Sequence, residues 1–141
     1  MTDEVTDILV IDDDDITAEL VERALRHEDG TYRIISATDG IDGLAQLRGT
    51  APNSARRPLV VLLDLNMPRM SGFEFLRAVR ADCSLRDSVI FVLTTSDAEE
   101  DRARAYCECA AGFMTKSEVG LGFRQVARLL STYCNTVYLP A

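Results

Sequence analysis

Short apolar runs, each stopped by a polar residue, set the rhythm of this chain. Ile8-Leu9-Val10-Ile11 ends at Asp12 and Asp13, Leu59-Val60-Val61-Leu62-Leu63 at Asp64, and Val89-Ile90-Phe91-Val92-Leu93 at Thr94. A shorter run, Gly112-Phe113-Met114-Thr115, ends at Lys116. Near-continuous runs of Val, Ile and Leu predict strands covered on both faces, as in a parallel sheet. Tyr32 to Ala37 reads as one further strand.

Between the runs the apolar positions change to helical spacing. Asp15 to Arg26 carries Ile16, Leu20, Val21, Ala24 and Leu25, with Gly30 as a stop; Asp39 to Leu47 carries Ile41, Leu44, Ala45 and Leu47 before Gly49. Ser71-Gly72 opens a helix bearing Phe73, Phe75, Leu76 and Val79. Asp97 is placed to cap the next helix, whose first turns hold Glu99, Glu100 and Asp101, the sign the helix dipole favours there. A last helix is expected from about Val119 to Tyr133, with Leu121, Phe123, Val126, Leu129 and Leu130 on its apolar face. Thr50 to Arg57 has no period and reads as a surface loop. Strand-helix alternation with short connections predicts an α/β fold: a flavodoxin-like, doubly wound, five-stranded parallel sheet of order 2-1-3-4-5, with helices on both faces.

In such a sheet, ligands bind in the crevice beyond the carboxyl ends of the strands. Asp12, Asp13, Asp64, Thr94 and Lys116 all follow a strand, so three carboxylates, a hydroxyl and an amine are expected to meet there. Crowded carboxylates raise one another's pKa unless a cation neutralises them, and Mg2+ takes one or two carboxylates together with water and phosphate oxygens. Capping of the following helix accounts for Asp14 or Asp15 but not for Asp64, which lies behind its own strand. Asp64 is also a candidate nucleophile able to form an aspartyl phosphate, with Pro68 and Gly72 shaping the loop beside it.

Bulk properties narrow the partners. The chain has 141 residues, a length that suits one domain, and a formal net charge of -8. That balance argues against nucleic acid and anionic membrane, both of which attract clustered Lys and Arg. No apolar stretch approaches the ~20 residues of a membrane span, and Met1-Thr2-Asp3-Glu4 lacks the layout of a signal peptide, so a cytoplasmic location is expected. Cys83, Cys107, Cys109 and Cys134 suggest no disulfide framework. The spacing Cys107-Glu108-Cys109 is read as small apolar fillers on a helix, not a zinc site. His27, the only histidine, reads as a surface residue at a helix end.

Ile-Asp12-Asp13, Asp64-Leu-Asn-Met-Pro-Arg-Met-Ser-Gly72, Val-Leu-Thr94-Thr-Ser and Gly-Phe-Met-Thr-Lys116, in this order, resemble the receiver domain of two-component response regulators (CheY-like). The resemblance runs from about Asp7 to Leu130. It implies phosphotransfer from a phosphohistidine on a sensor histidine kinase to Asp64. It also implies Mg2+ ligation by Asp13, Asp64 and the backbone carbonyl of Asn66, with Asp12 acting mainly through water. Thr94 would hydrogen-bond the phosphoryl group, Lys116 would pair with it, and Phe113 would rotate inward as the switched state forms. Asn66 and Ser96 would flank the attacking water and tune the lifetime of the phosphoryl group. One position departs from the family: Ser117 follows the lysine where receivers usually place a cis proline. A non-proline cis bond costs about 2.5–4 kcal/mol, so a trans peptide is expected here.

The reading divides the chain into a receiver at 1–133 and a tail at 134–141. With no output domain attached, the chain is expected to act by touching other proteins, such as a downstream target or a phosphotransfer protein. The tail Tyr133-Cys134-Asn135-Thr136-Val137-Tyr138-Leu139-Pro140 is apolar enough to form a homodimer contact or to fold back on its own domain. Leu93 to Asp101, the loop Ser84-Leu85-Arg86-Asp87 and the ending Val-Tyr-Leu-Pro further resemble the single-domain regulators that serve phytochrome kinases. Two other classes remain. A haloacid-dehalogenase-type phosphatase needs an Asp two residues after the nucleophile, where this chain has Asn66, and its acidic pair comes late in the chain. An unphosphorylated receiver-like binding module would be expected to have lost one of the five site residues, and none is missing.

Overall fold

A computed structural model describes residues 4–141, apart from the side chain of Leu121. Five strands, β1 (Val5–Ile11), β2 (Thr31–Ala37), β3 (Leu59–Leu63), β4 (Val89–Thr94) and β5 (Gly112–Thr115), alternate with five helices. These are α1 (Ile16–Leu25), α2 (Gly40–Arg48), α3 (Gly72–Ala81), α4 (Glu99–Cys107) and α5 (Arg124–Thr136). The sheet is wholly parallel, in the order β2-β1-β3-β4-β5. β3 is buried along its whole length, which is why its sequence is a continuous apolar run.

Two cores fill the two faces of the sheet. Ile8, Val10, Val60, Leu62, Phe91 and Leu93 pack toward α1 and α5, against Val21, Leu25, Val126 and Leu130. Leu9, Ile11, Val61, Leu63 and Ile90 pack toward α2 and α3, against Leu44, Phe75, Leu76 and Val79. The alternation along each strand fixes the register. Ile11 stands opposite Leu63, and Leu63 opposite Val92, so the residues that follow these strands emerge side by side. The β1–β3 ladder continues one step further, with the Asp64 N–H donating to the Ile11 carbonyl at 2.9 Å.

Several local expectations are corrected. The last helix does not begin at Val119: a 3-10 turn spans Leu121–Phe123, and α5 starts at Arg124. Gly122 (φ +69) and Phe123 (φ +57) are both left-handed, a pairing that no right-handed helix accommodates. Within the expected apolar faces Ile16, Ile41 and Leu129 are exposed, while Gly43 and Gln46 are buried in α2. Asp97 does not cap α4; Ala98 stands at that position with no side-chain bond, and Ser96 accepts from the Ala98 N–H at 3.4 Å. Cys107 and Cys109 are exposed and not fillers; Cys83 is exposed too, whereas Cys134 is half-buried and its thiol is pushed up to about 11 by burial.

The loop from Thr50 to Arg57 is anchored, not free. Buried Asp7 accepts from both Arg33 Nε (3.1 Å) and its NH2 (2.7 Å), and from the Arg56 N–H (2.7 Å). Gln46 accepts the Ala55 N–H at 3.0 Å. At the other end α5 runs through Thr136, three residues past the expected receiver end at 133. Leu139 packs against the α1–α5 core and Arg57 donates to the Ala141 carbonyl, so the tail folds back on its own domain. Arg57–Pro58 is the cis peptide among the described residues, and Lys116–Ser117 is trans, as expected.

Candidate functional site

The carboxyl ends of β1, β3, β4 and β5 bring together Asp12, Asp13, Asp64, Thr94 and Lys116. One carboxylate oxygen from each of Asp12, Asp13 and Asp64 lies within 4.8 Å of the others. Asp12 and Asp64 are buried and Asp13 is exposed, which leaves the cluster open on one side. Thr94, fully buried, donates from Oγ1 to Asp64 Oδ1 at 2.9 Å. Lys116 Nζ lies 2.7 Å from Asp12 Oδ2, so the lysine is paired with Asp12. Burial is the main cause that raises the Asp64 carboxyl above the ordinary aspartate range, and the Asp12 charge adds to it. The Thr94 hydrogen bond, the Lys116 charge and the Asn66 N–H oppose that rise without cancelling it.

The loop from Leu65 to Ser71 shapes the pocket beside Asp64. Gly72 is needed at its end: a Cβ there would stand 2.7 Å from Leu65 Cα and closer still to the Asp64 carbonyl oxygen. That close approach allows the Gly72 N–H to bond the Leu65 carbonyl at 3.0 Å. Ser71 and Glu74 then start α3 with a reciprocal capping box. Asn66 is exposed at the mouth of the pocket, its N–H 3.5 Å from Asp64 Oδ1. Phe113 is half-buried, packed with the small group Leu65, Val92, Ala105 and Ala110 beneath α4. Ser96 turns away from Asp64: its hydroxyl donates to Asp101 Oδ2 at 2.5 Å.

Three oxygen-donor groups converging with one exposed side suit a hard divalent cation, because their mutual repulsion is relieved only by added positive charge. Sequence reasoning missed the contact that ties this loop to α2, in which Arg69 Nε donates to Asp39 Oδ2 at 2.6 Å. Asp39 was legible only as a helix start, since nothing in local spacing links two residues on different connections.

Fold and site together define a doubly wound α/β protein with an acidic, cation-compatible crevice at its topological switch point. Residues 8–120 match the response regulator receiver domain, and the chain belongs to that family. Receiver domains take phosphoryl groups from histidine kinases, bind Mg2+ at this acidic site and act as signalling modules. The chain is 33% identical to the response regulator Rcp1 of Synechocystis sp. over 137 residues, covering 95% of this chain and 92% of that one. The crystal structure of the Mn2+-bound form of Rcp1 superposes with a TM-score of 0.84 at 32% identity, covering 96% and 99% of the two chains. The phosphorylated cyanobacterial phytochrome response regulator RcpA gives a TM-score of 0.85 at 26% identity, covering 98% and 100%.

Proposed function

We propose that this chain is a single-domain response regulator that accepts a phosphoryl group on Asp64 and signals through a change in protein contacts. The observation that carries the reading is the convergence of Asp12, Asp13, Asp64, Thr94 and Lys116 at four strand ends. An Asp64 carboxylate oxygen attacks the phosphorus of a kinase phosphohistidine; the P–O bond forms as the P–N bond breaks, and the imidazole leaves with the electron pair. Asp12, Asp13, Asp64 and the Asn66 carbonyl would hold Mg2+. When bound, the cation supplies neutralising charge to the phosphoryl oxygens.

Lys116, now held on Asp12, is within the same pocket and supplies a second positive charge for the phosphoryl group. Thr94 exchanges its bond to Asp64 for one to a phosphoryl oxygen, and Phe113 follows it inward from its half-buried place. The likeness to RcpA, a cyanobacterial phytochrome response regulator, supports a phytochrome-type sensor kinase as the phosphodonor. Among the described residues no helix is long and apolar enough to cross a membrane. Residues 1–133 form the receiver, and the remainder offers exposed Val137 and Tyr138 to a second copy or a downstream protein.

Incubation with a phosphorylated sensor kinase and Mg2+ is expected to label the wild-type chain and not Asp64→Asn. Labelling of Asp64→Asn would remove the phosphoacceptor from this reading. Binding of beryllofluoride with Mg2+ separates the receiver from an unphosphorylated binding module, which takes up neither. Turnover of model phosphate esters would instead indicate a phosphatase.

A further inference from the structure

We propose that Arg69 is a positioning residue for the divalent-cation site, acting through an ion pair with Asp39 that sets the shape of the β3–α3 loop. The inference rests on the cation site proposed above and concerns a pair that lies outside the ligand set. Arg69 is left-handed (φ +63), a conformation that a residue with a Cβ holds only when its surroundings impose it. Its guanidinium supplies that restraint, with Nε donating to Asp39 Oδ2 at 2.6 Å and NH2 contacting the same oxygen.

Asp39 is itself a fixed point. It is 3% exposed and caps α2 by accepting the Asp42 N–H at 2.9 Å. A second link runs beside the ion pair, from the Gly40 N–H to the Met70 carbonyl at 3.2 Å. A Cβ at position 40 would run into the Met70 side chain, so the glycine is what lets α2 approach the loop. The loop is also closed at its base by the bond from the Gly72 N–H to the Leu65 carbonyl. With the base held and the apex tied to α2, the backbone between them, Asn66 included, is restrained at both ends. Burial pushes the Asp39 carboxyl up, but the Asp42 N–H and Arg69 outweigh it and hold it below the ordinary range, so Asp39 stays ionised at neutral pH.

Charge alone predicts a different outcome from positioning, which makes the two separable. Removing a positive charge from the loop that follows Asp64 favours Mg2+ binding if Arg69 acts only through its field. If Arg69 acts by fixing the loop, its removal weakens Mg2+ binding.

Isothermal calorimetry with Mg2+ alone tests this on the wild type, Arg69→Gly, Asp39→Asn and the double variant. Glycine relieves the left-handed strain and asparagine remains a good helix cap, so both variants retain what folding requires at these positions. Each single variant is expected to bind Mg2+ roughly tenfold more weakly, as removal of a group that orients a ligand does. The double variant should bind no more weakly than the worse single one. Wild-type or tighter affinity in Arg69→Gly overturns the inference, and so does strict additivity in the double variant. Should the wild type itself take up no Mg2+, the cation site fails together with this inference; failure confined to the variants leaves the site standing.

Discussion

Gly72→Ala is the sharpest test of how the fold holds Asp64. The added Cβ would stand 2.7 Å from Leu65 Cα and 3.1 Å from the Asp64 carbonyl carbon. Both neighbours are backbone, so no side chain can turn aside. Carbon atoms pack at about 3.5 Å or more, so the loop and the first turn of α3 must part by roughly 0.8 Å. That movement carries the bond from the Gly72 N–H to the Leu65 carbonyl, now 3.0 Å, out of hydrogen-bonding range. Overpacking of this kind costs about 1–3 kcal/mol and the lost bond about 1 kcal/mol. Alanine returns up to about 1 kcal/mol of helix propensity. The net expectation is a destabilisation of about 1–3 kcal/mol.

The functional loss should exceed the loss of stability. Asp64 Oδ1 is 2.9 Å from Thr94 Oγ1, and a shift of this size at Asp64 breaks that alignment. A misplacement of about 1 Å can cost roughly 100-fold in rate. The chain has no tryptophan, so urea unfolding is best followed by far-UV circular dichroism, with phosphoryl uptake measured on the folded fraction. Gly49→Ala is the control: Gly49 is left-handed (φ +75) at the end of α2, and nothing lies within 4 Å of its Cβ position. It should lose about 1–2 kcal/mol and keep its uptake rate. A Gly72→Ala protein with wild-type stability and wild-type uptake would refute the argument, as would Gly49→Ala slowing uptake to the same degree.

Three further outcomes follow from the same geometry. Thr94→Ala should accept phosphate yet switch incompletely: a charge-assisted hydrogen bond contributes about 1.5–3 kcal/mol, whereas moving an equilibrium from 1:99 to 99:1 takes about 5.5 kcal/mol. Full partner binding by the phosphorylated variant would contradict that. Asp64 is raised above its unfolded value by burial and by Asp12, so its stabilising contribution is present below the unfolded value and is lost as pH rises through the folded one. Asp64→Asn should therefore be more stable than the wild type in Mg2+-free buffer at about pH 7, with the difference vanishing near pH 3; equal urea midpoints at both would count against it. Lys116→Ala strands the nearly fully buried Asp12 carboxylate, whose lysine partner is itself only 18% exposed. It should cost about 3 kcal/mol, partly restored by Mg2+, and a melt insensitive to Mg2+ would exclude that account.

The four apolar runs and the polar residues that end them were enough to locate β1, β3, β4 and β5 and to pick out Asp12, Asp13, Asp64, Thr94 and Lys116. A parallel strand buried on both faces has to be apolar throughout, and chemistry in such a sheet has to sit where the strand stops, so both features are written locally. Ser71 was legible as a helix start for the same reason, since a helix cap is satisfied within four residues.

The tertiary structure decided what depends on residues far apart in the chain. Local pattern placed a helix across Leu121–Phe123, but Phe123 is buried against the α1–α5 core while φ turns positive at Gly122 and Phe123. Ile16 and Ile41 keep helical spacing and are nonetheless exposed, because the sheet and neighbouring helices leave those sides uncovered. The ion pairs Arg33–Asp7 and Arg69–Asp39 join residues 26 and 30 positions apart, and no periodicity records them. Spacing along the chain specifies what a residue's own element needs; which side chains meet across elements is set only when the sheet register and the packing of both faces are satisfied together.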